Sequence, residues 1–223
     1  MDLILAADLK SGNIVHGMSG KRDEYRPVVT PLATTAEPVR YVEEIRPRYL
    51  YIADLDRISG SGSHDPLIPV LADRVARLLL DRGCRGPADI LRIPGVIPVI
   101  GTETAGPDLE SYPGGFLSVD VKDGRVIPRG LDPAMVLARA GRCRFDGCIL
   151  LDIGGVGTGR GLDPDRLAAY REAYPGTLLW GGGVASMDDL YLLLRSGYDG
   201  AIIATALHQG HIPYIGIRIR RKR

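Results

Sequence analysis

The sequence DLKSGNIV at residues 8–15 returns as DVKDGRVI at residues 120–127. Each copy follows an apolar run, begins with an aspartate, and has a lysine two positions later and a glycine four positions later. An apolar run that ends in a polar, glycine-containing turn predicts a strand leading into a loop. Because this arrangement occurs once in each half of the chain, we predict a duplicated structure.

Further matches lie in the same order along the two halves. They are Asp54-Leu55 with Asp152-Ile153, Asp65-Pro66 with Asp163-Pro164, Gly83 and Asp89-Ile90 with Gly183 and Asp189-Leu190, and Val99-Ile100-Gly101-Thr102 with Ile202-Ile203-Ala204-Thr205. Matches that cross strand ends into their loops in one register are unexpected in unrelated segments. We place the halves at residues 1–113 and 114–209, within one domain of residues 1–223 that ends in a basic tail, residues 210–223.

Short apolar runs followed by a loop and an amphipathic segment indicate β/α units and a parallel sheet. The predicted strands are residues 3–8, 49–54, 77–81, 97–101, 116–121, 147–152, 177–181 and 200–204. Eight strands with symmetry between the halves predict a closed (β/α)₈ TIM barrel with an internal two-fold half-barrel repeat. The alternative is an open doubly wound sheet, for which a dinucleotide-binding glycine fingerprint is expected after the first strand, and residues 8–12 do not supply one.

Aspartate followed by proline marks helix starts, because aspartate caps free N–H groups and proline suits the first helical position. Asp65-Pro66, Asp132-Pro133 and Asp163-Pro164 fit this pattern. A further helix is predicted after Ser186, with Gly197 as its stop signal.

The charge balance argues against two classes of partner. The 28 Lys and Arg nearly cancel the 27 Asp and Glu, so the formal charge of +1 supplies no field for nucleic acid or an anionic membrane. No apolar run reaches the roughly 18 residues of a membrane span, and the N-terminus lacks a signal-peptide pattern. A cytoplasmic location is expected, the basic residues 218–223 are interpreted as a solvated terminus, and the oligomeric state stays open.

The cysteines and histidines predict no metal site. Cys84, Cys143 and Cys148 form no C-x-x-C pair and are interpreted as buried thiols. The four histidines, His16, His64, His208 and His211, have no metal-ligand spacing and are assigned to the surface or to loops.

The leading catalytic candidates are Asp8 and Asp120. Residues at the carboxyl ends of barrel strands form the active face, and the first and fifth strands lie opposite each other in an eight-stranded ring. Two carboxylates facing each other across the barrel mouth suit general acid and base catalysis. Lys10 and Lys122 are expected on the same side of their strands, where a cation would hold each carboxylate ionised. The alternative is that the repeated motif is only a tight turn.

Glycine-rich loops after the seventh and eighth strands are candidate phosphate sites, because glycine lets backbone N–H groups approach an anion. In the second half the candidates are Gly182, Gly183, Ala204 and Thr205. In the first half they are Gly83, Arg85, Gly101 and Thr102, with Arg85 adding a charge-assisted contact to a second phosphate. The glycine-rich residues 154–161 suggest a mobile loop over the site, in which Arg160 clamps an anion or is simply solvated.

These motifs resemble the half-barrel family of ProFAR isomerase and the cyclase subunit of imidazole glycerol phosphate synthase, the HisA/HisF family of histidine biosynthesis. The resemblance rests on residues 7–12, residues 118–124, the run from Asp152 to Thr158, residues 182–190 and Ala206-Leu207. It implies a substrate with two phosphates, contacts from Gly157 and Thr158, and conversion of an aminoaldose to an aminoketose with Asp8 and Asp120 as the acid and base. It implies no metal or organic cofactor.

The sequence departs from the isomerase pattern at several positions. Leu151 stands where the isomerase has a threonine before the Asp of the sixth strand, Asp81-Arg82-Gly83 replaces a glycine triplet, and Gly130-Leu131 replaces Gly-Trp. Residues 101–104 resemble a branch of isomerase-related proteins from methanogens and methylotrophs. The alternatives are therefore a related lyase or condensing enzyme of one-carbon cofactor (methanopterin or methanofuran) biosynthesis, or a noncatalytic protein that binds a phosphorylated ligand.

Overall fold

The computed structural model describes residues 1–18, 20–156 and 161–213. Four features predicted from the sequence lie outside these residues. They are Gly157 and Thr158, Arg160, and the part of the basic tail from residue 214 onward.

A closed ring of parallel strands forms the centre of the molecule. The strands in chain order are β1 (Asp2–Lys10), β2 (Asn13–Val15), β3 (Tyr49–Asp54), β4 (Arg77–Asp81), β5 (Val96–Gly101), β6 (Phe116–Lys122), β7 (Arg125–Val126), β8 (Gly147–Asp152), β9 (Leu178–Gly181) and β10 (Gly200–Ile203). All except β2 and β7 belong to the ring, and β1 closes it by pairing with β10 from Asp2 opposite Gly200 to Leu5 opposite Ile203. The predicted TIM barrel is confirmed, and the open doubly wound sheet is wrong.

The predicted strands are close to those observed. The bounds of β3, β4 and β8 are the predicted ones, and the other ring strands differ by one or two residues at an end. Alternate side chains of the ring point inward, where one apolar layer fills the barrel. This layer includes Ile4, Tyr51, Leu79, Val99, Ile149, Leu179 and Ile202.

The repeated sequence at residues 8–15 and 120–127 forms the same hairpin twice. β2 pairs antiparallel with β1, with Leu9 opposite Ile14, and β7 pairs with β6 with Val121 opposite Val126. The turns have positive φ at both central residues, 50° and 76° at Ser11 and Gly12 and 52° and 74° at Asp123 and Gly124. Such turns follow the twist of a two-residue hairpin and favour Asp-Gly and related pairs, which explains the repeat.

The helices are α1 (Pro38–Ile45), α2 (Leu55–Ser59), α3 (Ile68–Ala72), α4 (Pro133–Ala140), α5 (Pro164–Ala173), α6 (Met187–Arg195) and α7 (Thr205–His208). Asp132 and Asp163 cap α4 and α5 as predicted, each accepting from two backbone N–H groups. Ser186 opens α6 in a capping box with Asp189, and Gly197 lies just beyond the helix with φ of 84°.

The prediction that Asp65 caps a helix is wrong. Asp65 begins the 3₁₀ helix Asp65–Leu67, and its carboxylate instead binds Arg82 at 3.0 and 2.6 Å. The loop that contains Asp65 is therefore tied to the end of β4 by an ion pair rather than ordered by a helix cap.

The two halves differ in their helices. After β4 and β5 the described chain forms only the 3₁₀ helices Pro87–Asp89 and Leu109–Ser111, where the second half has α6 and α7. Prolines at positions 87, 94, 98, 107 and 113 interrupt this region, and proline in a helix interior removes a hydrogen bond. One detail of the duplication persists, because Arg85 N donates to Asp89 Oδ2 and Ala185 N donates to Asp189 Oδ2, both at 2.8 Å.

Two further sequence-based expectations concern the cysteines and membrane-spanning segments. The interpretation as buried thiols is confirmed for Cys84 and Cys148 and is wrong for Cys143, which is partly exposed; all three are free thiols. Within the described part of the chain, no helix has the length and apolar character needed to cross a membrane.

Candidate active site

A cavity of about 230 Å³ opens at the carboxyl ends of the ring strands. Asp8, Asp81 and Asp120 line it from β1, β4 and β6. The loops after β9 and β10 line it from the other side with Gly182, Gly183, Ala204 and Thr205. The structure thus brings the two predicted carboxylates and the predicted second-half glycine loop into one cavity.

Asp8 presents a carboxylate that the protein leaves largely unsupported. Desolvation raises the pKa of Asp8 to about 6, and the charge of Arg22 acts in the opposite direction. Among the described residues, no protein group donates a hydrogen bond to this carboxylate. Gly17 covers it closely, since a Cβ at position 17 would lie 2.9 Å from Asp8 Oδ2. The Asp8 oxygens are therefore directed to the cavity and available to a ligand.

Asp120 has the opposite environment. Its carboxylate accepts hydrogen bonds from Ser118 Oγ at 2.6 Å, Thr102 Oγ1 at 3.2 Å and Glu103 N at 3.0 Å. Desolvation nevertheless raises the pKa of Asp120 to about 6, because its side chain is almost completely buried, while these donors lower it. Three donors fix the orientation of this carboxylate toward the cavity.

Asp81 is a third cavity carboxylate that the sequence reasoning missed as a site residue. A Cβ at Gly101 would lie 3.0 Å from Asp120 Oδ2 and 3.1 Å from Asp81 Oδ2, so the two carboxylates converge over Gly101. Desolvation, followed by the negative charge of Asp120, raises the pKa of Asp81 to about 7. A sequence signal exists for it, because Asp81 follows an apolar run at the end of a strand, as the predicted candidate Asp8 does.

Asp81→Asn is expected to stabilise the protein increasingly as the pH rises. The unfolded carboxyl ionises near its ordinary pKa of about 4, whereas the folded one keeps its proton to about pH 7. Between these values the folded state binds more protons than the unfolded state, so the wild type loses stability as pH rises. We expect the variant to gain roughly 2 kcal/mol in unfolding free energy on the wild type between pH 5 and pH 8.

Urea unfolding at the two pH values measures this gain. The exposed Asp73→Asn is the matched control, for which we expect the same difference from wild type at both pH values. A difference between Asp81→Asn and wild type that stays constant with pH would show that Asp81 ionises normally in the folded protein.

The prediction for Lys10 and Lys122 is wrong. Lys10 Nζ donates to the backbone carbonyl of Arg22 at 2.5 Å, and Lys122 is exposed. The cation that acts on Asp8 is Arg22, which binds Glu103 through two hydrogen bonds of 2.7 and 2.6 Å. No sequence signal pointed to this pair, because it joins two loops that are distant along the chain.

The Arg22–Glu103 pair belongs to a segment that crosses the cavity mouth. On one side Arg22 binds Glu103, and on the other a Cβ at Gly20 would lie 2.8 Å from Ile153 Cγ2 in the loop after β8. The cavity is therefore partly covered by the loop that follows the first hairpin.

The predicted second-half phosphate residues have unused donors. Gly183 has φ of 72°, and within the described residues neither its N–H nor that of Val184 has a hydrogen-bond acceptor. The hydroxyl of Thr205, at the first position of α7, also lines the cavity and has no partner in the described part of the chain. N–H groups and a hydroxyl without protein acceptors at a cavity wall are donors that an anion could use.

The predicted first-half phosphate residues do not line this cavity. Gly83 N donates to Asp81 Oδ1 at 3.0 Å, and the Arg85 guanidinium donates to the carbonyls of Gly83 and Ile58 at 3.3 and 3.0 Å. A Cβ at Gly101 would collide with the two carboxylates, and the Thr102 hydroxyl donates to Asp120. The first half has therefore used its donors within the protein.

Known sequences are similar to this chain along nearly its full length. A family model described as "Histidine biosynthesis protein" matches residues 108–213. An enzyme of Thermus thermophilus named 1-(5-phosphoribosyl)-5-((5-phosphoribosylamino)methylideneamino) imidazole-4-carboxamide isomerase is 30% identical over 235 residues, covering 95% of this chain and 96% of the enzyme. The chain belongs to the histidine biosynthesis protein family. The resemblance read from the sequence is confirmed.

Two further relatives of this histidine biosynthesis family member have comparable identity. An uncharacterized protein of Methanocaldococcus jannaschii is 31% identical over 220 residues, 94% of each chain. An isomerase of the same name from Haloquadratum walsbyi is 28% identical over 226 residues, 93% of this chain and 91% of the enzyme. The similarity thus extends over nearly the whole barrel.

Leu151 and His208 are two further side chains that line the cavity of this family member. Leu151 lines the cavity and offers no hydrogen bond to a ligand. His208 was assigned to the surface or a loop, and that assignment is wrong, because it is buried in α7. It contacts Tyr41 Oη at 3.1 Å and Thr30 Oγ1 at 3.2 Å, and desolvation lowers its pKa to about 4. His208 is therefore a neutral packing residue.

His64 also has a defined structural role. Its Nε2 accepts from Gly12 N at 3.0 Å, so its Nδ1 carries the hydrogen and donates to Asp54 Oδ1 at 2.8 Å. Asp54 is fully buried and also accepts from the backbone of His64 and Arg57. This chain of hydrogen bonds fixes the first hairpin against the loop after β3.

Proposed function

We propose that the protein is an aldose–ketose isomerase that converts a phosphorylated aminoaldose, ProFAR or an analogue, to the corresponding aminoketose. The observation that carries the proposal is the shared cavity, which holds Asp8, Asp120 and the unused donors of Gly183 and Thr205. Full-length similarity to enzymes named as isomerases supports it.

The reaction needs one acid and one base on the same substrate. Opening the sugar ring requires a proton on the ring oxygen, and forming the enolamine requires loss of the proton on C2. A carboxyl that is protonated near neutral pH serves the first step, and a carboxylate serves the second. Asp8 and Asp120, each with a pKa of about 6, can supply both forms near neutral pH.

The remaining residues of the cavity bind the substrate and exclude water from it. The N–H groups of Gly183 and Val184 and the Thr205 hydroxyl would hold a phosphate, while Gly20, Arg22 and Tyr25 would shield the reacting end of the cavity. Binding of the phosphate would position the reacting carbon between the two carboxylates. The phosphate site would thus contribute to the rate by positioning, while the carboxylates would transfer the protons.

Native mass spectrometry of the protein purified from its own host tests the proposal. We expect a retained phosphorylated aminosugar, and we expect the purified protein to interconvert its aldose and ketose forms. A retained ligand without phosphate, or no interconversion of the retained compound, would overturn the proposal.

A second candidate function is a lyase or condensing reaction in the same cavity. Leu151 and Asp81 favour it, since they stand where the isomerase pattern has a threonine and a glycine. Both replacements give the cavity wall a polarity different from that of the isomerase pattern. Growth of a histidine auxotroph lacking the isomerase, when supplied with this protein, would identify ProFAR as a substrate and exclude the second candidate as its sole activity. Absence of growth together with carbon–carbon bond cleavage of the retained metabolite would establish the second candidate.

A further inference from the structure

The two halves of the barrel offer an anion different groups. In the second half, Gly183, Val184 and Thr205 line the cavity, and the two N–H groups and the hydroxyl have no acceptor among the described residues. Their counterparts in the repeat are Gly83, Cys84 and Thr102. The duplication therefore allows the donors of one half-barrel to be compared with those of the other.

Two of the three first-half counterparts, Gly83 and Thr102, donate to carboxylates of the protein. Asp81 Oδ1 accepts the N–H of Gly83 at 3.0 Å, and Asp120 Oδ2 accepts the hydroxyl of Thr102 at 3.2 Å. A Cβ at Gly83 would lie 2.9 Å from Ile58 Cα, so the loop is packed against α2. The Gly83 N–H and the Thr102 hydroxyl are therefore occupied, and α2 fills the space that a phosphate beside Gly83 would need.

The arginines of this region are also paired. Arg82 binds Asp65 at 2.6 Å, and Arg57 binds Asp89 at 3.1 Å. The Arg85 guanidinium donates to two backbone carbonyls. Each of these cations is already neutralised or held by backbone, so a second phosphate would have to displace an existing partner to bind one of them.

The charge at this end of the cavity opposes an anion. Asp81 and Asp120 converge over Gly101, Glu103 lies beside them, and Arg22 is paired with Glu103. A phosphate dianion placed here would face like charges in a poorly solvated space. Tyr51 adds a hydroxyl that lies 3.5 Å from Asp81 Oδ2. Carboxyl and phenol groups together suit a substrate hydroxyl, which both donates and accepts hydrogen bonds.

We infer that the substrate carries a single phosphate, held by the second half, and presents an uncharged hydroxyl-bearing end to Asp81 and Tyr51. This inference rests on the proposed function, because it uses the second-half phosphate loop. It narrows the substrate class from bisphosphates to monophosphates with a polar, uncharged far end.

Titration with inorganic phosphate, followed by calorimetry and native mass spectrometry, counts the phosphate sites. We expect one phosphate per chain. Thr205→Val should weaken it at least fivefold, whereas its repeat counterpart Thr102→Val and the variant Arg85→Ala should each change the affinity less than twofold. Two phosphates per chain, or an affinity that depends on Arg85 and not on Thr205, would overturn the inference while leaving the proposed function intact. No bound phosphate would overturn both.

A pair of ligands tests the far end of the cavity. ProFAR and ProFAR lacking the phosphate of its glycosylamine ribose differ only in one phosphate. We expect the monophosphate to bind wild type at least fivefold more tightly at pH 8, and Asp81→Asn to reduce this preference, because one of the repelling charges is gone. Tyr51→Phe should weaken the monophosphate while leaving inorganic phosphate unaffected. A wild type that binds ProFAR more tightly would overturn the inference.

Discussion

Asp8→Asn and Asp120→Asn are each expected to lower kcat by roughly a thousandfold while leaving ligand affinity nearly unchanged. An amide has almost the same shape as a carboxyl but neither takes nor gives a proton at neutral pH. Asp8 lacks protein donors in the described part of the chain, so its amide leaves the surrounding structure unaltered. The measurement is steady-state turnover of the isomerised substrate, with affinity determined separately by calorimetry.

Asp123→Asn is the matched control for these two variants. Asp123 lies on the same hairpin as Asp120 but is exposed, and its positive φ of 52° suits asparagine equally well. We expect wild-type turnover for it. Turnover within tenfold of wild type in either Asp8→Asn or Asp120→Asn would remove that residue from the acid/base pair.

Gly182→Ala is expected to lower the free energy of unfolding by about 3 kcal/mol or more. A Cβ at position 182 would lie 2.2 Å from the carbonyl oxygen of Asp152, and that oxygen belongs to backbone that cannot rotate away. Gly182 also has φ of 93°, which a residue with a side chain rarely adopts. Relieving the collision would move the loop after β9, so phosphate affinity should fall as well.

Gly95→Ala separates the cost of the positive φ from the cost of the collision with Asp152. Gly95 has φ of 77° and no atom within 4 Å of an added Cβ, so its substitution introduces the backbone cost alone. We expect about 1 kcal/mol for it, measured by urea unfolding alongside Gly182→Ala. Equal losses in the two variants would mean that the close approach to Asp152 does not constrain the loop.

Much of the fold could be predicted because the determining signals are local. The paired hairpins at residues 8–15 and 120–127 need a positive-φ turn, and the turn residues are visible in the sequence. Caps such as Asp132 and Asp163 act within their own helices and were found for the same reason. Asp65 had the same local pattern, but Arg82 binds its carboxylate, and that partner could not be inferred from neighbouring positions.

The candidate site could be predicted only in part. Asp8, Asp120 and the second-half glycine loop followed from strand ends and the repeat, and they share one cavity. The Arg22–Glu103 pair and the contacts that occupy Gly83, Arg85 and Thr102 depend on which loops meet in three dimensions. The repeat suggested equal donors in the two halves, whereas the side chains around each loop decide whether a donor is free.

The 3₁₀ helices after β4 and β5 make one arc of the ring its weakest point. β5 shares three register pairs with β6, against six between β6 and β8, and its outer side is covered by irregular chain. Such segments open locally at lower free energy than helix-backed strands. Amide hydrogens of β5 should therefore exchange with deuterated water before those of β8. The barrel would then open locally at β5 rather than uniformly around the ring.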